Sequence, residues 1–137
     1  MEQEDAGDDG LLQRLVGSEL SSVVFVMDYV QLHFQGVGDD WPVLTCEVWP
    51  TVEGADGTVA HGQPGYADAL VALVMGEVVR TVEQTGTGLR VELDRGTLVL
   101  DPTLDDLVGP EVALLDGFAD RAWMCWRPGE DAFEHLA

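Results

Sequence analysis

The chain has 137 residues and carries 26 acids against six basic residues, a net charge of −20. Its length suits one domain with a sizeable core, and its 46 % apolar content is that of a globular protein. No apolar run reaches the ~18 residues of a membrane span, no basic, apolar leader opens the chain, and a field this negative repels nucleic acid and anionic membranes while drawing basic partners or cations.

Residues 1–9 hold acids and no large aliphatic residue beyond Met1, so disorder is expected there, with one α+β domain over 10–137. A short helix is predicted from Gly10, with Leu11, Leu12, Leu15 and Val16 at helical spacing and Gly17 as its stop. Strands are expected over 20–27, over 30–34, where Val30, Leu32 and Phe34 alternate with Gln31 and His33, and over 43–49 up to Pro50. Residues 50–65, with four glycines and two prolines, read as a long loop. A helix over 66–75 presents Tyr66, Leu70, Leu73 and Val74 on one face, and Gly76 closes it. Strands resume over 78–83, 89–93 and 97–100, the last two flanking the turn signal Asp94-Arg95-Gly96. In the tail, 109–115 reads as a short helix after Pro110, 122–127 as a strand and 132–136 as a last turn.

The halves resemble each other. Leu15-Val16-Gly17 followed by Leu20 and Val23 matches Val74-Met75-Gly76 followed by Val79 and Val82, and three strands follow each glycine. The pattern predicts a duplicated helix-β-β-β unit, with pseudo-repeats at about 11–49 and 70–102 and a C-terminal tail over 103–137. Gly17 and Gly76 would each end a helix in the left-handed conformation. The fold class that follows is α+β, a mostly antiparallel sheet of about six strands with the helices on one face.

Lys, Ile and Asn are absent and every base is Arg, a bias toward GC-rich codons that points to a GC-rich bacterial genome and a cytoplasmic protein. The strings LVGSELSSVVFVMDYVQLHF, PGYADALVALVMGEVV and VGPE resemble a group of small acidic actinobacterial proteins of unassigned activity. The likeness covers about 11–115 and rests on Gly17, Asp28-Tyr29, Tyr66, Leu70, Gly76 and Gly109-Pro110-Glu111. It implies an origin and no chemistry.

No motif names a reaction. Cys46, Cys125, His33 and His61 lack zinc-ligand spacing, and Cys46 falls on a core face, so neither a metal site nor a disulfide is expected. The pairs and clusters of Asp match no calcium loop. Ser occurs only at 18, 21 and 22, outside any nucleophile elbow, and the absence of Lys removes Schiff-base and P-loop chemistry. No cofactor is called for, and the balance leans away from an enzyme. Two readings remain. The first is an acidic interaction protein, immunity- or inhibitor-like, binding a basic protein partner. Trp41, Trp49, Trp123 and Trp126, beside acids, would form its contact patch, although packing over the sheet is the commoner role for such residues. The second is a small-molecule-binding protein or enzyme with a pocket between sheet and helices near Asp28, Tyr29, His33 and Tyr66. Open sheet edges with no Lys to blunt them also predict a homodimer.

Overall fold

The computed structural model describes residues 10–136, and the disorder expected for 1–9 lies outside them. After a helical turn at 10–13, the chain forms β1 (Glu19–Phe25), β2 (Val30–Gln35), β3 (Val43–Cys46), β4 (Thr51–Gly54) and β5 (Gly57–Val59). Helix α1 (Tyr66–Val71) follows, then β6 (Val78–Gln84), β7 (Gly88–Leu93), β8 (Gly96–Leu100), β9 (Ala113–Asp116) and β10 (Met124–Trp126). Short 3-10 turns occupy Leu104–Asp106 and Asp131–Leu136.

The fold is largely antiparallel β-structure with few, short helices, but the expected sheet of about six strands is replaced by two sheets of five. Their orders are β1-β2-β3-β9-β10 and β5-β4-β8-β7-β6. Two extra hairpins account for the difference. Val52-Glu53-Gly54 and Gly57-Thr58-Val59 pair across a turn inside the stretch expected to be a loop, and 113–115, the end of the stretch 109–115 expected to be helical, belongs to a strand beside β3. Each hairpin crosses over: β4 joins β8 in the second sheet and β9 joins β3 in the first. Every sheet therefore combines three consecutive strands from one half of the chain with a hairpin from the other.

Alternation sets the register. Val30, Leu32 and Phe34 on β2 point inward, and the ladder Val30–Cys46–Ala113–Trp126 continues that face across the first sheet. Val52, Leu98 and Val91 make the matching ladder of the second sheet. Both inner faces, with Leu12, Leu15, Leu70 and Leu73 from the helical segments, belong to one apolar core. Burying a side chain such as Leu15, which is 0 % exposed, removes surface worth about 2–3 kcal/mol from water. Helix α1 touches β1 of one sheet and β4 of the other, so it straddles the two sheets instead of lying on one face.

The sheets meet at an isolated bridge between Glu19 of β1 and Glu77, the residue before β6. There, N–H of Leu20 donates to the carbonyl of Gly76 and N–H of Val78 to that of Ser18, at 2.9 and 2.8 Å. N–H of Gly17 donates to Val78 and N–H of Met75 to Leu20, at 2.8 and 2.7 Å. Each bond has a counterpart 58 positions away (17 and 75, 18 and 76, 20 and 78). This geometry shifts the expected alignment by one residue. Met75, with φ 78°, occupies the place of Gly17, with φ 90°, and Gly76 is not left-handed. The β-bulges agree, falling between Leu20 and Ser22 on β1 and between Val78 and Arg80 on β6.

Candidate functional site

One end of the molecule gathers four connections. Val30 pairs with both Phe25 and Cys46, so the 26–29 turn and the 47–50 linker emerge together. That linker enters β4, where Thr51 lies opposite Val99, which brings Asp101 and Pro102 to the same end. Val59, opposite Val52, delivers Ala60 and His61. Between these segments lies a cleft of about 710 Å³.

Aromatic rings build its wall. Trp49 stacks on His61 with centroids 4.3 Å apart and planes within 16°. Phe25 lies 6.1 Å from Trp49 on a tilted plane, and Tyr66 lies 6.3 Å from Trp49 and 5.6 Å from His61. The first turn of α1 places Tyr66, whose hydroxyl donates to the carbonyl of Pro50 and anchors the linker. Burial, and then the neighbouring Cys46, push the Tyr66 hydroxyl up, and burial followed by Glu47 does the same to the Cys46 thiol. Burial thus favours the protonated form of both groups at neutral pH.

Charge on the cleft has one sign. Asp28, Glu47, Asp101 and Asp106 line it, and no Arg does. Asp106 is held in place: its carboxylate accepts from the backbone N–H and hydroxyl of Thr103, at 2.8 and 3.0 Å, and fixes the turn that leads into 107–110. Carboxylates over an aromatic wall favour a cation that carries apolar surface.

The residues singled out from sequence divide. Asp28 lines the cleft and Tyr66 supports its wall, but the other two of that quartet lie apart. Tyr29 is half-buried in the β1–β2 turn, where its carbonyl accepts from Val26, and its side chain is not part of the cleft lining. His33 stands on the outer face of the first sheet, 3.1 Å from Gln31. Of the tryptophans, Trp49 is in the cleft wall and Trp126 is fully buried, its indole N–H donating to Glu83 at 2.8 Å. Trp41 and Trp123 are exposed at the opposite end of the first sheet, Trp41 beside Gly117 and Trp123 preceding β10. They form no single patch of four. Glu47, His61, Asp101 and Asp106 were not assigned to a shared site from sequence, because only the crossing of β4 to β8 brings their segments together.

Cys46 and Cys125 are free and buried, and no group of three or more His, Cys, Asp or Glu able to hold a metal occurs among the described residues. No helix among them is long and apolar enough to cross a membrane. Comparison with known protein families, with characterised proteins and with solved structures finds no match to this chain.

Proposed function

We propose that this is a non-enzymatic acidic binding protein whose partner is a basic protein, in the manner of immunity proteins and inhibitors. The observation that carries the reading is the aromatic cleft lined by four carboxylates and no guanidinium. The chain as a whole has the same sign, since 21 acids stand against six arginines beyond residue 10. Such a field accelerates encounter with a cationic partner and rejects anionic ones. The second reading, a small-molecule-binding protein or enzyme, draws support from the cleft's volume, which falls in the ~300–1,000 Å³ range of ligand pockets. The protonated form that burial favours at Cys46 and Tyr66 weighs against the enzyme.

The immobilised protein should retain a basic protein from its parent lysate at low salt and release it at high salt. The purified pair should then re-form with fixed stoichiometry in a calorimeter. Retention of no basic protein at low salt would refute the reading.

Three further expectations belong to the same proposal. The chain is a duplicated unit, supported by the paired hydrogen bonds around Glu19–Glu77 and by the reciprocal exchange of hairpins. Its origin lies with the small acidic actinobacterial proteins it resembles, in the cytoplasm. It self-associates as a homodimer, for which the open edge of β6 is the best support: Val79 is 55 % exposed there, and a groove of about 520 Å³ runs along 79–83 beside Val16.

A further inference from the structure

One difference between the two halves bears on the cleft. In the second half the chain's own residues 131–136 pack against β6, β7 and β10, with Ala132, Phe133 and Leu136 buried. They lie next to Trp126, which stands two residues beyond Met124, and the Thr85 hydroxyl contacts the Asp131 carbonyl and the Glu134 carboxylate there at 3.4 Å. The exchange of hairpins maps β6, β7 and β10 onto β1, β2 and β5, and it maps Trp126 onto His61, two residues beyond Val59. The space that corresponds to 131–136 is the cleft, between the β1–β2 turn and His61. Instead of filling it, the chain turns away after β5 into α1. Phe25 and Met27 are left 43 % and 93 % exposed at its border.

We propose that the cleft seats a short segment of the basic partner: one large apolar side chain against Phe25, Trp49 and His61, flanked by Arg or Lys reaching Asp28, Glu47 and Asp101. The proposal rests on the binding-protein reading above and adds the part of the partner that is recognised. Its apolar component follows from the vacant counterpart of Phe133, and its cationic component from the carboxylate lining. A second copy of this chain fits poorly, because it brings another charge of −20 to an acidic cleft.

Calorimetry on the full chain provides the test, using a capped hexapeptide with one central phenylalanine between arginines. The same peptide with alanine for phenylalanine should bind about tenfold more weakly. Asp28→Asn combined with Asp101→Asn should also weaken binding about tenfold. Asp39→Asn with Asp56→Asn removes the same charge at the far end, in the β2–β3 loop and the β4–β5 turn, and should change it less than about twofold. Gly109→Phe adds a ring at the cleft lining, at a backbone position where an added Cβ meets nothing within 4 Å, and should weaken binding without lowering the melting temperature. Equal weakening by the two Asp→Asn pairs, or equal affinity of the alanine peptide, would overturn the seat and leave a general acidic attraction standing. Failure of every arginine peptide to bind at low salt would also overturn it, while capture of a basic partner would still decide the broader reading.

Discussion

Met75 is a non-glycine residue held at φ 78°, a conformation that a Cβ makes costly, while its counterpart Gly17 adopts φ 90° without that penalty. The backbone N–H groups of both residues are used in the crossing between the sheets, at 2.7 and 2.8 Å, so neither can relax without breaking a bond there. Gly17→Val should destabilise the protein by about 1–3 kcal/mol. Met75→Gly should be neutral or stabilising by up to about 1 kcal/mol, since relief of strain exceeds the added freedom of the unfolded chain. Thermal melts of the two variants check the pair of signs, and a neutral Gly17→Val beside a destabilising Met75→Gly would contradict it. Gly76 matters for a different reason: a Cβ there would lie 2.9 Å from the carbonyl oxygen of Leu73. The sequence marks a glycine near each helix end, but which residue there turns left-handed, Gly17 in one and Met75 in the other, goes with the hydrogen bonds each makes to the other half.

Hairpin exchange makes the two halves interdependent at the level of elements. β9 and β10 complete the sheet begun by β1 to β3, and β4 and β5 complete the sheet of β6 to β8. The only covalent link between the halves runs through 60–65, where Gly62, Gln63 and Pro64 are exposed. A protease site inserted after Gly62 and then cleaved should leave fragments 1–62 and 63–137 co-eluting in native buffer and separating only in denaturant. Separation in native buffer would mean that the exchanged pairings do not hold the halves together. The hairpin of β4 and β5 was partly legible, since Thr51-Val52-Glu53 and Thr58-Val59 flank the turn signal Asp56-Gly57. The glycines and prolines around it masked the strands. Residues 113–115 have no clear period, and the free edge of β3 decides that they extend and do not coil.

For the whole molecule, the proposed self-association sets the open β6 edge against electrostatic repulsion. A charge of −20 on each 14.8 kDa copy opposes a dimer, and screening within about 10 Å at 0.1 M salt weakens that opposition. Sedimentation should therefore give a mass near twice 14.8 kDa at high salt and a lower average at low salt. Val79→Lys, which puts a charge on the open edge, should favour the monomer at both. A mass near 14.8 kDa for the parent protein at every salt concentration would end the homodimer proposal.

Alternation and helical spacing alone determined most of the strands and the faces they bury, because the period of hydrophobic residues is a local property that each segment satisfies against any apolar neighbour. Sequence also set the net charge of −20, since net charge needs no fold. Strand order belonged to tertiary structure: β3 and β8 each accept a hairpin from the distant half, and local patterning does not specify which edge pairs with which. The cleft depends on that choice. Asp28, Glu47, His61 and Asp101 are separated in sequence and become neighbours only when β4 crosses to β8, so their common site exists in three dimensions alone.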